Sequence, residues 1–92
     1  MSNAWPKHVW NQLKNLTAQD LIRALDKKDS GWERVRTKGN YYVYHNPNRP
    51  PDKRYVVIHF HPGKTYGRKQ LRGLLDTIGW TEEDLKRLKL IK

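Results

Sequence analysis

The stretch "RYVVIHF", residues 54 to 60, limits the possible folds more than any other part of this chain. Side chains alternate across a pleated strand, so Val56, Ile58 and Phe60 share one face, while Tyr55, Val57 and His59 share the other and His61 continues that second row. The first row is wholly apolar and has to be covered. The second carries rings and imidazoles and can face water.

Two more strand candidates precede it, Trp32 to Lys38 and Tyr41 to Asn46, separated by Gly39-Asn40 and followed by the turn-rich "NPNRPPDK". Such short connections favour an antiparallel meander. The same parity assigns Tyr42, Tyr44 and Val35 to the covered side, and Tyr41, Val43, His45, Arg34, Arg36 and Lys38 to the open side. Trp32 has open-side parity but can instead pack at the start of its strand.

The cover comes from helices. In "LTAQDLIRALDKKDSGW", Thr17 can cap a helix, Asp20 sits in its first turn, Leu16 and Leu21 have staple spacing, and Gly31 ends the unit. A second helix, about Thr65 to Ile78, repeats Leu71, Leu74, Leu75 and Ile78 at helical spacing and stops at Gly79. "WTEEDLKRLKLIK" opens a short helix with Thr81 and Asp84 as a capping box, and Trp5, Val9 and Leu13 suggest another near the N-terminus, where Pro6 is tolerated. The expected class is α+β: a three-stranded antiparallel sheet, helices packed on one face, and extra short helices at the termini.

At 92 residues the chain suits one domain, with residues 1–15 as an N-terminal extension, 16–80 as the core and 81–92 as a C-terminal helix. Nineteen Lys plus Arg against nine Asp plus Glu, a net charge of +10, imply a polyanionic partner. The absence of cysteine excludes disulfide and zinc-ribbon frameworks and suits the cytoplasm. No apolar run is long enough for a membrane span, and "MSNAWPKHVW" lacks the apolar stretch of a secretory signal, so no membrane partner is expected.

On the open face, cations alternate with rings, a combination that holds phosphates while rings contact bases or sugars. The candidates for RNA phosphates are Arg34, Arg36 and Lys38 in the sheet, with Lys64, Arg68 and Lys69 at the start of the second helix, where free backbone N–H groups also favour anions. Solvation of ordinary surface charge is the competing explanation for each of them. His59 and His61, about 7 Å apart on one strand face, are the candidates for chemistry, because imidazoles can supply both the base and the acid that metal-free RNA cleavage needs. Two imidazoles alone make a weak metal site, so neither a metal nor another cofactor is expected.

The motifs "LTAQDLIRALDKKDSGWERVRTKGN", "YYVYHNP" and "VVIHFHPGKTYGRKQLRGLLDTIGW" together resemble the HicA (YcfA-like) toxins of toxin–antitoxin pairs, from about Leu16 to Trp80. The resemblance implies a fold like the double-stranded-RNA-binding domain, α-β-β-β-α. It also implies binding and cleavage of mRNA by a metal-independent mRNA interferase, an endoribonuclease, and inhibition by a HicB-like antitoxin that covers the active face. The family's usual Gly-Ser-His falls here on Gly39, Asn40 and Tyr41, so Tyr41 occupies the place of the catalytic histidine. A phenol is a poor general base at neutral pH, although it can donate a hydrogen bond or stack. Three outcomes follow: His59 and His61, of which His61 matches a histidine common in the family, carry the reaction; the protein binds RNA without cleaving it; or the basic face meets only an acidic protein partner.

Overall fold

The structure, a computed structural model, describes residues 5–92; the first four residues of the expected N-terminal extension lie outside it. The elements run in the order α1 (Lys7–Leu13), α2 (Ala18–Leu25), β1 (Glu33–Lys38), β2 (Tyr41–His45), β3 (Tyr55–His59), α3 (Arg68–Ile78) and α4 (Glu82–Arg87). The strands form one antiparallel sheet in the order β1-β2-β3, which leaves β3 at an edge. The α+β architecture with short terminal helices follows the sequence patterning.

Local chemistry explains the boundaries. The Thr17 side chain accepts from the Asp20 N–H, while the Asp20 carboxylate accepts from the Thr17 N–H, so two otherwise unpaired donors at the start of α2 are satisfied reciprocally. Thr81 and Asp84 repeat the arrangement at α4. Gly39, at φ 57°, takes the first position of the two-residue β1–β2 turn, where a side chain would be strained. Gly79 ends α3 at φ 80° and donates its N–H to the Leu75 carbonyl.

The core lies between the helices and one face of the sheet. Leu21, Leu25, Leu71 and Leu75 pack with Tyr44, Val56 and Ile58, and Val9, Leu13 and Leu85 extend the same cluster into the terminal helices. Each fully buried leucine contributes roughly 1.5–3 kcal/mol. Tyr44 is fully buried, yet its hydroxyl donates to the Asp26 carboxylate at 2.9 Å. Burial, reinforced by that carboxylate, pushes the phenol well above its ordinary range. Trp32 is also buried, at the head of β1: its backbone N–H donates to the Ser30 hydroxyl at 3.0 Å, and the Ser30 carbonyl accepts from the Trp80 indole.

Three expectations require correction. A β-bulge between Arg34 and Arg36 makes Val35 the extra residue of β1; it leaves the core and is 51% exposed. The bulge reverses the parity behind it, so Arg34 stands opposite Tyr44 on the helix side and pairs with Asp26 at 3.6 Å instead of reaching the open face. The second main helix begins at Arg68, three residues later than its spacing suggested. Thr65 forms an antiparallel bridge with Thr17, and the Tyr66 N–H donates to the Leu16 carbonyl at 3.2 Å, so residues 61–67 form a strap tied to the start of α2.

Candidate functional site

The open face takes its order from the β-ladder. Lys38 stands opposite Tyr41, and Tyr41 stands opposite His59, giving a row across all three strands; Arg36, Val43 and Val57 make the next row. Tyr41 is 50% exposed and lies flat on His59, with ring centroids 4.2 Å apart and planes 5° from parallel. His45 and Tyr55 make a second cross-strand ring pair on this face, at 4.6 Å.

Beyond the end of β3, His61 turns back on the same side. Its Nε2 lies 3.0 Å from the Nδ1 of His59, and the two rings meet nearly edge to face at 4.0 Å between centroids. The separation expected for an ideal strand was larger. His61 lies past the last ladder residue, so its backbone is free to bring the imidazoles into hydrogen-bonding contact.

One hydrogen bond between two neutral imidazoles has a definite chemical consequence. If His61 donates, the outer Nε2 of His59 carries a proton and the outer Nδ1 of His61 is bare; if His59 donates, the assignment is reversed. In either tautomer the neutral pair presents one acid and one base. A proton accepted at one end can pass through the shared bond and leave at the other. An added proton makes both outer nitrogens donors and removes the base.

The strap brings Lys64 to this site, where it lines a cleft of about 680 Å³ together with His59 and His61. Lys64 sits in a turn in which its N–H donates to the His61 carbonyl at 3.2 Å, with Gly63 at φ 74°, and so does not open the helix as expected. Arg36, Lys38, Lys64 and Lys69 form no ion pair among the described residues, whereas Arg34 does. Arg68 turns away: its guanidinium lies 5.7 Å from the Trp10 ring of α1, beside that of Arg72 at 5.4 Å. The structure therefore gathers Tyr41, His59, His61, Lys38, Arg36 and Lys64, and separates Arg34 and Arg68 from them.

Sequence reasoning missed Tyr66 and Gln70, which line the same cleft as the imidazoles. Nothing in their spacing marked them, because the stretch around Tyr66 read as helix. Burial raises the Tyr66 phenol above its ordinary range, and its hydroxyl has no hydrogen-bond partner among the described residues. Among the described residues, no three His, Cys, Asp or Glu side chains gather as metal ligands would, and no helix is long and apolar enough to cross a membrane.

Residues 18–80, most of the chain and the whole sheet with α2 and α3, match the family described as "HicA toxin of bacterial toxin-antitoxin". The chain belongs to the HicA toxin family. No curated protein matches it. Membership implies a toxin–antitoxin partnership, and the observed order of helix, three strands and helix is that of the double-stranded-RNA-binding-domain-like HicA fold. The matched region begins after α1 and ends before α4, so both terminal helices lie outside it. Tyr41, at the position where the resemblance puts the HicA histidine, is thus stacked on an imidazole supplied by the neighbouring strand.

Proposed function

We propose that this HicA-family protein is a cytoplasmic toxin that binds mRNA on the open sheet face and cleaves it by metal-independent acid–base chemistry, with the His59–His61 pair in place of the family histidine. A HicB-like antitoxin neutralises it by covering that face. The observation that carries this reading is the 3.0 Å hydrogen bond between the two rings, which makes the neutral pair an acid and a base at once.

The bare outer nitrogen takes the proton of a ribose 2′-OH as that oxygen attacks the adjacent phosphorus. The outer N–H of the other ring protonates the departing 5′-oxygen. The new bond is 2′-O to phosphorus, the broken bond is phosphorus to 5′-O, and the products are a 2′,3′-cyclic phosphate and a 5′-hydroxyl. The bridging proton shifts within the pair, which ends neutral in its other tautomer. Tyr41 buttresses His59 by stacking, and Arg36, Lys38 and Lys64, exposed and without acidic partners among the described residues, attract the phosphates.

Incubation of purified protein with mRNA, with and without EDTA, tests the reading. Cleavage should persist in EDTA and fall at least about a hundredfold in His59→Ala and in His61→Ala, the usual scale for loss of acid–base catalysis. Unchanged cleavage in both variants would overturn it.

A second reading, an RNA-binding module without cleavage, is favoured by the exposed phenol ring of Tyr41, a stacking surface where the resemblance calls for an imidazole. In that case the wild type binds RNA but leaves it intact, and Tyr41→His gains cleavage.

A further inference from the structure

Deepening the RNA-cleaving reading, we infer that the cleft between β3, the 61–67 strap and α3 is a nucleobase pocket, which takes the base of the nucleotide whose phosphate meets the imidazole pair and so selects the cleavage position. Four observations converge on it. The cleft's volume of about 680 Å³ lies within the roughly 300–1,000 Å³ range of small-molecule sites. His59, His61 and Lys64 are among its lining residues, so the imidazole pair and a cation adjoin any base seated there. Ala18, Val57 and Leu74 give it apolar wall, as a flat base requires. Gln70, exposed near the start of α3, adds an amide that can donate and accept together, the pattern needed to read a base edge.

The lining also includes Tyr66, whose buried hydroxyl has no partner among the described residues and is available to a polar atom of a guest. β3 is an edge strand, and the strap that follows it is tied to the start of α2 by the Thr17–Thr65 bridge; residues of both line the cleft. Charge fits the same occupant. Lys64 stands at the cleft, Lys38 lies two strands away in the row that ends at His59, and neither is ion-paired among the described residues.

The test titrates the full-length protein with the four nucleoside 3′-monophosphates and, separately, with inorganic phosphate, following the Gln70 side-chain amide, the Leu74 methyls and the two imidazoles by NMR. Each nucleotide should move all of these signals, while phosphate moves only the imidazoles. The best and worst bases should differ by about tenfold in Kd, a spread that Gln70→Ala narrows to about threefold or less. Leu74→Trp, which fills the cleft, should abolish the base-dependent part and keep phosphate binding. Four nucleotides that bind alike and leave Gln70 and Leu74 unmoved would overturn the pocket. The two readings fail separately: RNA cut without base preference removes the pocket and keeps the catalytic pair, whereas nucleotides seated in the cleft with RNA uncut keep the pocket and remove the catalysis.

Discussion

Tyr41 and His59 face each other directly across adjacent strands, their rings 4.2 Å apart and 5° from parallel. The contact leaves the phenol half exposed and restrains the imidazole that bonds to His61. Tyr41→Phe should therefore keep RNA affinity, because it keeps the ring. Tyr41→Ala should weaken binding by about 1 kcal/mol, roughly fivefold, at the low end of aromatic–base stacking. Fluorescence anisotropy with a short single-stranded RNA measures both; equal losses would show that the hydroxyl, not the ring, matters.

The bulge at Val35 separates cations that look equivalent in sequence. Arg36 and Lys38 face outward beside Val43 and Tyr41, whereas Arg34 is engaged with Asp26 and with the face of Tyr42. Arg36→Ala and Lys38→Ala should each reduce the slope of log affinity against log salt by about 0.7, the value for one phosphate contact on a single strand. Arg34→Ala should leave that slope unchanged. A drop for Arg34 equal to that for Arg36 would contradict the register.

Most of the fold was legible because period-two and helical patterns are local properties of the chain. Val56, Ile58 and the capping pairs at Thr17 and Thr81 could be identified directly, as could the shared side of Tyr41, His59 and His61. The bulge was not legible, since one extra residue in β1 leaves no mark in "ERVRTK" yet moves Val35 and Arg34 to the opposite sides. The close approach of His59 and His61 depends on backbone beyond the ladder. The cleft is lined by Ala18 and Thr65, brought together where Thr17 pairs with Thr65, forty-eight positions apart by number, which no local pattern encodes.

Arg49 ties the β2–β3 connection to the end of α3, donating from Nε to the Thr77 carbonyl at 3.1 Å and from Nη2 to the Asp76 carbonyl at 3.2 Å. These are carbonyls that a helix end leaves unpaired, at the negative pole of its dipole. A Cβ on Gly79 would meet the Arg49 guanidinium in addition to the strain of φ 80°. Gly79→Ala should cost about 1–2 kcal/mol from the left-handed backbone alone, and more with Arg49 present. In an Arg49→Ala background the penalty should shrink toward the backbone value, a coupling that denaturant unfolding of the double-mutant cycle would detect.

At α4, the hydrogen bond from the Thr81 backbone holds the Asp84 carboxyl below the ordinary carboxylate range despite opposing partial burial, and Arg87 adds to the effect. A carboxyl whose folded pKa is depressed contributes stability above its unfolded value and loses it as the pH falls through the folded one. Thr81→Ala should cost about 1 kcal/mol near neutrality. The gap between wild type and Asp84→Asn should close as the solution is acidified through and below the carboxylate range. A gap independent of pH in thermal unfolding would place the capping contribution elsewhere.

The central claim is that two hydrogen-bonded imidazoles drive attack by the RNA's own 2′-oxygen. Analysis of the product ends formed in EDTA tests it most directly, using an RNA with a single efficient cleavage position and its counterpart carrying one 2′-deoxy sugar there. The account predicts a 2′,3′-cyclic phosphate and a 5′-hydroxyl from the first RNA and no cut at that position in the second. A 5′-phosphate product, or undiminished cutting beside the 2′-deoxy sugar, would contradict it.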